Sequence, residues 1–108
     1  MVIPMLDKND FNKVVSSSKI PVFAKFFASW CGPCKMMAPV VEDLSEKFED
    51  QVKFVQIDID ICKDIAQDLG IMSIPTFIIF KDGEEIDRLI GASDSEHLEK
   101  FIKRNIES

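Results

Sequence analysis

The sequence predicts an α/β fold in which a central mixed sheet of five strands is flanked by four helices. Segments of strand length and segments of helical periodicity follow one another in the order βαβαβαββα, a pattern typical of helices packed on both faces of a sheet. Residues 22–28 are almost continuously apolar, as expected for a parallel strand covered on both faces. Residues 81–84 are typical of a hairpin turn in which Gly83 supplies the positive φ, so the last two strands are antiparallel.

Each predicted element has its own local signal. The strands cover residues 2–5, 22–28, 52–59, 76–80 and 85–90. The first is a short edge strand, because Pro4 has no N–H to donate and limits its pairing. The first helix runs from a cap at Asp7 to about residue 17, and the second from Cys31 to about residue 48. The third helix covers residues 61–69, and the last begins after a cap at Ser93 or Asp94. Pro39 is expected to kink the second helix. The last helix is expected to bury Leu98, Phe101, Ile102 and Ile106.

Length and composition limit the classes of function that the chain can have. Its 108 residues suit one domain spanning the whole sequence, with a core that needs no disulfide staples. The net charge of −6, from 13 Lys and Arg against 19 Asp and Glu, opposes binding to nucleic acid or to an anionic membrane surface. Three cysteines are too few, and odd in number, for the disulfide framework of a small secreted protein. No segment resembles a signal peptide and no apolar run reaches about 18 residues, so we expect a cytoplasmic protein.

The central feature of the sequence is a pair of cysteines, Cys31 and Cys34, placed between an apolar strand and a helix. Two cysteines separated by two residues can form and reopen a small disulfide. Cys31 precedes the helix, where its sulfur meets unpaired backbone N–H groups and the positive end of the helix dipole, and both stabilise a thiolate. We therefore expect Cys31 to be the exposed nucleophile and Cys34, one turn inside the helix, to be the more buried resolving thiol.

Two other interpretations of the cysteine pair are half of a zinc site and a pair of inert core thiols. A zinc site needs about four ligands, and only Cys62 and His97 could complete it, both far away in the sequence. Cys62 is expected to be buried as a small apolar residue, the alternative being an exposed thiol for dimerisation or regulatory oxidation. His97 is expected on the solvated surface. The acidic side chains expected on solvated faces are those of Asp58, Asp60, Glu84, Glu85, Asp87 and Glu96.

Residues 30–35, Trp-Cys-Gly-Pro-Cys-Lys, resemble the active-site motif of the thioredoxin family. The Gly-Pro pair distinguishes this motif from those of disulfide isomerases and DsbA-type oxidases, which have a histidine before the second cysteine. Residues 74–76 resemble the family's cis-proline loop, residues 81–83 its hairpin, and residues 91–92 its last substrate-facing loop. The proline inside the second helix matches the family's helix kink. The resemblance extends from about residue 10 to residue 105.

The resemblance implies a thioredoxin fold and a protein-disulfide reductase. Cys31 would attack a substrate disulfide, and Cys34 would then attack Cys31 and release the reduced substrate. Pro75, in cis, would place the backbone of Ile74 beside Cys31 for strand-like hydrogen bonds to the substrate. The shallow apolar contact surface would consist of Trp30, Met72, Ile74, Pro75, Gly91 and Ala92. The remaining residues of the active-site motif are Gly32, Pro33 and Lys35.

The resemblance also implies the partners of the protein. Its substrates would be proteins that contain disulfides, and a thioredoxin reductase would restore the dithiol with electrons from NADPH or ferredoxin. The chain has no glycine-rich phosphate-binding loop, so we expect it to bind no nicotinamide or flavin cofactor itself. No metal, nucleic acid or membrane is expected to bind, and the protein is expected to be a monomer.

Two positions depart from the family pattern, and both lie in predicted strands near the cysteines. Typical members have a buried aspartate before the motif and a lysine on the next strand, where this chain has Lys25 and Gln56. A nearby ammonium lowers the energy of a thiolate. We therefore hypothesise that Lys25 stabilises the thiolate of Cys34 or Cys31 and moves the redox potential toward more oxidising values. The alternative is that Lys25 extends to solvent and touches neither sulfur.

Two other functions are compatible with the sequence. An oxidase or isomerase tuned by Lys25 would have a less negative redox potential than a reductase. An interaction module that uses the fold as a subunit would keep its function when Cys31 and Cys34 are replaced by serine, whereas a reductase would lose its activity.

Overall fold

The computed structural model describes residues 3–107, which form eight regular elements. The helices are α1 (Lys8–Ser17), α2 (Gly32–Lys47), α3 (Lys63–Asp68) and α4 (Ser95–Ile106). The strands are β1 (Val22–Phe27), β2 (Lys53–Asp58), β3 (Thr76–Lys81) and β4 (Glu84–Ile90). From the first helix onward, this order confirms the predicted alternation of helices and strands. None of the helices between residues 3 and 107 is long and apolar enough to cross a lipid bilayer.

The strands form one mixed sheet in the spatial order β2-β1-β3-β4. β1 runs parallel to β2 and antiparallel to β3, and β3 pairs with β4 in an antiparallel hairpin. Gly83 has a φ of 84° in the turn of this hairpin, as predicted. In this register Lys25 on β1 lies between Gln56 on β2 and Phe77 on β3. The strand that leads into the cysteine motif is therefore held on both sides.

The strand predicted over residues 2–5 is wrong for the described part of the chain, where the sheet has four strands instead of five. Residue 2 lies outside the described residues. Met5 makes only an isolated parallel bridge to Gln56. The N–H of Gln56 donates to the carbonyl oxygen of Pro4 at 2.9 Å, and the N–H of Leu6 donates to the carbonyl oxygen of Gln56 at 3.0 Å. Because Pro4 has no N–H of its own, the segment does not extend this bridge into a ladder.

Apolar side chains fill the space on both faces of the sheet. On one face, the rings of Phe23 and Phe77 stack with centroids 5.5 Å apart, beneath the buried residues of α2 and α4. On the other face, Phe11 of α1 packs edge-on against Phe26 and Phe80. Full burial of a phenylalanine side chain contributes about 1.5–3 kcal/mol to stability. This two-sided core fixes β1 and the start of α2, which carry the cysteine motif.

Side-chain caps define where two of the helices begin. Asp7 caps α1 by accepting the N–H of Asp10 at 2.8 Å, as predicted. Asp94, rather than Ser93, caps α4 by accepting the N–H of His97 at 2.8 Å. Each cap satisfies a backbone N–H that has no partner within the helix.

The bounds of α3, the course of α2 and the buried face of α4 can also be compared with the prediction. α3 begins at Lys63 and ends at Asp68, so it is shorter at both ends than the predicted helix over residues 61–69. α2 continues through Pro39 as a single helix, and a kink at this residue stays a prediction. The predicted buried face of α4 is confirmed, with three side chains fully buried and the last half-buried: Leu98, Phe101, Ile102 and Ile106.

Candidate active site

The cysteine pair forms a disulfide at the N-terminus of α2. Cys31 and Cys34 are bonded, and their Cα atoms lie 5.3 Å apart. Cys31 is the N-cap residue of α2, and its Sγ accepts a hydrogen bond from the backbone N–H of Cys34 at 3.2 Å. This contact confirms the expectation that the sulfur of Cys31 meets an unpaired N–H group at the start of the helix.

Both cysteines are buried in the disulfide form, Cys31 at 4% exposure and Cys34 at 3%. The expectation that Cys31 is the exposed thiol is therefore wrong for this oxidised state, because its sulfur is bonded to Cys34 and packs against the loop at Ile74. The two sulfurs differ in what surrounds them. Sγ of Cys31 lies 4.0 Å from the carbonyl oxygen of Ile74, whereas Cys34 lines a pocket together with Lys25. The two residues between the cysteines are exposed.

A second loop reaches the disulfide at Ile74 and Pro75. The peptide bond between these residues is cis, as the resemblance implied. Pro75 is buried, and its carbonyl oxygen accepts the N–H of Gly91 at 2.8 Å. Gly91 has a φ of 94°, a conformation that favours glycine. The hydrogen bond joins the loop at residues 91–92 to the cis-proline loop, so the three segments expected to bind substrate meet around the disulfide.

The residues of the predicted contact surface differ in exposure, and their contact with substrate stays a prediction. Trp30 is 67% exposed and Met72 is 95% exposed. Ala92 is also exposed, and Ile74 and Gly91 are half-buried. The buried Pro75 is the exception, so its ring adds little to the surface that a substrate can touch.

Sequence reasoning missed Met36, which is 80% exposed in the first turns of α2. Met36 lines a groove of about 440 Å³ whose walls include Pro33, Val40 and Ala92. The groove extends the apolar surface from the cysteine motif toward the loop before α4. A signal for it was present, because Met36 falls outside the stripe of residues that α2 buries.

Trp30 is held by a carboxylate that the sequence did not indicate. Its Nε1–H donates to Oδ2 of Asp60 at 2.8 Å, and the N–H of Asp60 donates to Oδ1 of Asp58 at 2.8 Å. Asp60 is exposed as predicted, but Asp58 is 8% exposed, so its assignment to a solvated face is wrong. Asp58 ends β2 opposite Phe27 at the end of β1. This shared edge of the sheet is the signal that could have placed both aspartates near the motif.

Lys25 lies inside the protein near the disulfide. The residue is 5% exposed and lines a pocket of about 260 Å³, whose walls include Phe27, Cys34 and Gln56. Its Nζ lies 5.0 Å from the centre of the Phe27 ring. Burial lowers the pKa of the Lys25 ammonium, and the charge of Glu42 offsets part of that shift. The residue as a whole is buried, but its Nζ is not fully shielded from solvent, so contact with a thiolate and extension of the ammonium to solvent both stay predictions.

Cys62 and His97 lie away from the disulfide. Cys62 is 6% exposed in the core cluster shared by α1 and α3, and its thiol donates to the carbonyl oxygen of Leu6 at 3.6 Å. Burial raises the pKa of this thiol, and the charges of Asp7 and Asp58 raise it further, so the buried interpretation of Cys62 is confirmed. His97 is exposed, as predicted. Within residues 3–107, no group of three or more His, Cys, Asp or Glu side chains is arranged to hold a metal ion.

Several known proteins are similar to nearly the whole chain. A family model for thioredoxin matches residues 2–104. The chain is 42% identical over 96 residues to thioredoxin 1 of Synechococcus elongatus, covering 89% of this chain and 90% of that protein. It is 43% identical over 102 residues to the chloroplastic thioredoxin M4 of Arabidopsis thaliana, covering 94% of this chain and 53% of that protein. Among solved structures, the oxidised form of mitochondrial thioredoxin 3 from Saccharomyces cerevisiae matches with a TM-score of 0.85 and 38% identity, over 94% of each chain.

Proposed function

Because this chain belongs to the thioredoxin family and is a protein-disulfide reductase with the thioredoxin fold, we propose that Cys31 is its nucleophile and Cys34 its resolving thiol. One observation carries the proposal. Sγ of Cys31 accepts the backbone N–H of Cys34 at 3.2 Å, at the N-cap position of α2. The partial positive charge at the N-terminus of a helix stabilises a thiolate there. Of the two thiols formed on reduction, Cys31 is therefore the one placed to react as a thiolate.

The exchange transfers two electrons from the dithiol to the substrate in two steps. The thiolate of Cys31 attacks one sulfur of the substrate disulfide, a mixed disulfide forms, and the other substrate sulfur leaves as a thiolate. Cys34 then loses its proton and attacks the sulfur of Cys31. The intramolecular disulfide forms, and the second substrate sulfur leaves with the electron pair of the broken bond. The departing thiolates take protons from water, and the protein ends in its oxidised state.

The segments around the disulfide are proposed to bind an extended stretch of the substrate protein. The carbonyl oxygen of Ile74, 4.0 Å from Sγ of Cys31, can accept a backbone N–H of that stretch. The exposed side chains of Trp30 and Met72 offer apolar contacts, and the flexible methionine adapts to substrates of different shape. The loop at residues 91–92 completes the surface. The exposed motif residues beside the disulfide are Gly32, Pro33 and Lys35.

The proposed physiological partner is a thioredoxin reductase, which would return the disulfide to the dithiol. We place the protein in the cytoplasm, because a low and odd number of cysteines, three here, is typical of proteins in a reducing compartment. We further propose that it works as a monomer and binds neither nucleic acid nor membranes, which its net charge of −6 disfavours.

Serine substitutions test the roles of the two cysteines. Cys34→Ser, mixed with the disulfide reagent 5,5′-dithiobis(2-nitrobenzoate), is expected to hold half of the reagent on Cys31 as a stable mixed disulfide, because no second thiol is present to release it. Cys31→Ser is expected to react at least about tenfold more slowly, since its remaining motif thiol lacks the contact at the N-cap. Mass spectrometry of proteolytic fragments locates the modified sulfur, and Cys62→Ala controls for the third thiol. Equal reactivity of Cys31→Ser and Cys34→Ser would contradict the assignment.

A further inference from the structure

Lys25 has a buried side chain whose ammonium keeps some contact with solvent and has no counter-ion among the described residues. It lies in the middle of β1 and is 5% exposed. Among residues 3–107, its ammonium has no hydrogen-bond or ion-pair partner, and the face of the Phe27 ring, 5.0 Å from Nζ, is its one attractive contact at close range. Burying an ionised group without a partner is costly. A cation kept in this state beside a reactive disulfide is therefore a candidate for a role in the reaction.

The surroundings of Lys25 offer no strong partner in the oxidised protein. The groups that face it are Cys34, Lys35 and Glu42 from α2, Gln56 from β2, Phe77 from β3 and Met5 from the segment before α1. Lys35 has the same charge and is exposed. The side-chain N–H of Gln56 already donates to the carbonyl oxygen of Ile3 at 2.8 Å. The one carboxylate in this set, that of Glu42, belongs to an exposed residue, and its attraction is smaller than the effect of burial.

We propose that the thiolate of Cys34 is the counter-ion of Lys25, so that the ion pair forms when the disulfide is reduced and disappears when it is oxidised. The two residues line the same pocket of about 260 Å³. In the oxidised protein, the sulfur of Cys34 is bonded to Cys31 and carries no charge, which explains why Lys25 is unpaired in this state. The proposal rests on the assignment of Cys34 as the resolving thiol.

Lys25 then acts as a positioning residue in the second step of the exchange. While the substrate is bonded to Cys31, the thiol of Cys34 gives its proton to water and becomes a thiolate, which the nearby ammonium stabilises. The thiolate attacks Sγ of Cys31, the Cys31–Cys34 bond forms, and the substrate sulfur leaves with the electron pair of the bond that breaks. By linkage, the thiolate stabilises the charge of Lys25 to the same extent. Lys25 therefore holds its proton more tightly in the reduced protein than in the oxidised one.

A stopped-flow reaction with 5,5′-dithiobis(2-nitrobenzoate) separates the two steps. The first coloured thiolate is released when Cys31 attacks the reagent, and the second when Cys34 attacks Cys31. In Lys25→Met we expect the second phase to slow by about tenfold or more at pH 7, and its pH midpoint to rise by about one unit. The first phase is expected to change by less than about twofold, because Cys31 is stabilised by the helix N-terminus. Lys53→Met removes the same charge from an exposed position on β2 and is expected to leave both phases unchanged.

A charge-preserving variant separates electrostatics from packing. Lys25→Arg is expected to keep at least about a third of the second-phase rate and the pH midpoint of the parent, because the guanidinium remains charged. Thermal unfolding of each variant shows that it is folded. The proposal is overturned if the second phase of Lys25→Met is as fast as that of the parent. It is also overturned if the second phase of Lys25→Arg is as slow as that of Lys25→Met. A failed cysteine assignment gives a different result, in which Cys31→Ser reacts with the reagent as fast as Cys34→Ser or faster.

Discussion

At the scale of single residues, the chemistry depends on which atoms surround each sulfur. Cys31 meets a backbone N–H and the carbonyl oxygen of Ile74, whereas Cys34 shares a pocket with a buried lysine. The first environment was predictable, because a cysteine between a strand and a helix must meet the unpaired N–H groups of the helix. The burial of Lys25 was not predictable, because a long side chain at such a position can also extend to solvent. Only the packing of α2 over β1 decides between these outcomes.

Removing the charge of Lys25 is expected to stabilise the oxidised protein. Lys25→Met should raise the free energy of unfolding at pH 7 by about 1 kcal/mol, because it replaces an unpaired and largely buried lysine, screened in part by solvent, with an apolar side chain. Burial lowers the pKa of Lys25 in the folded protein below its ordinary value of 10.5, which applies to the unfolded chain. At a pH between the folded and the unfolded pKa, the unfolded chain binds a proton that the folded protein has released. The stability of the parent therefore rises with pH across that window.

Denaturant unfolding at pH 7 and at about pH 10 measures this difference between the parent and Lys25→Met. The advantage of the variant should shrink at the higher pH, where the folded parent carries less charge at Lys25. The exposed Lys53→Met serves as the matched control and should unfold like the parent at both values. A Lys25→Met variant that is less stable than the parent at pH 7 would show that the lysine has a favourable partner in the oxidised state.

At the scale of elements, the interior of the sheet was more predictable than its edge. Residues 22–28 and 76–80 are apolar except for Lys25 and Thr76, because both faces of these strands are covered. An edge segment need not be apolar on both faces, so its sequence does not show how far its pairing extends. Residues 2–5 resembled a strand, but the pairing of Met5 ends at a single bridge to Gln56. The two possible caps of α4 were equally compatible with the sequence, since serine and aspartate both accept N–H groups at helix starts.

Asp87 on β4 joins the edge strand to α4. Its Oδ2 accepts Nε–H of Arg104 at 2.9 Å and Nδ2–H of Asn105 at 2.8 Å. Burial raises the pKa of Asp87, but the hydrogen bonds from Arg104, Asn105 and the backbone N–H of Arg88 outweigh it and bring the pKa below the ordinary 3.8. This stabilisation is present above pH 3.8 and is lost as the pH falls through the lowered pKa.

Asp87→Asn is therefore expected to lower the free energy of unfolding by about 0.5–1 kcal/mol at pH 7, because it removes a charged acceptor from hydrogen bonds that solvent partly screens. The loss should shrink in strongly acidic solution, as the pH falls through the lowered pKa of Asp87 and the parent carboxylate takes up a proton. Urea unfolding at pH 7 and in strongly acidic solution measures the change. Glu84→Gln neutralises an exposed carboxylate on the same strand and should have little effect. An equal loss for Asp87→Asn under both conditions would rule out the electrostatic explanation.

At the scale of the whole molecule, the most exposed apolar side chains among residues 3–107 occur mainly in the segments that surround the disulfide. They are Met72 at 95%, Met36 at 80%, Ile61 at 71%, Trp30 at 67% and Ile90 at 61%. Trp30 and Met36 flank the cysteine pair, Met72 precedes the cis-proline loop, and Ile90 pairs with Thr76 just after that loop. Exposed apolar clusters of this kind mark surfaces that bind other molecules. Their position around the disulfide suits a reductase that must hold varied protein substrates.

The redox potential of the Cys31–Cys34 disulfide determines which direction of exchange the whole protein favours. An ammonium beside a thiolate stabilises the reduced form, so Lys25→Met should have a more negative midpoint than the parent. The expected shift is about 30 mV for each tenfold loss in thiolate stabilisation. The shift is a difference between two proteins measured in the same buffers, so it does not depend on the absolute value for the parent.

The midpoint potential of the parent protein tests the reductase function most directly. Trp30 is the only tryptophan in the chain and adjoins Cys31, so its fluorescence can follow the disulfide in dithiothreitol or glutathione buffers of defined potential. We expect a midpoint near or below about −250 mV, which places the protein among reductants despite the charge of Lys25. A midpoint between about −200 and −120 mV would contradict this account and would indicate an oxidase or an isomerase.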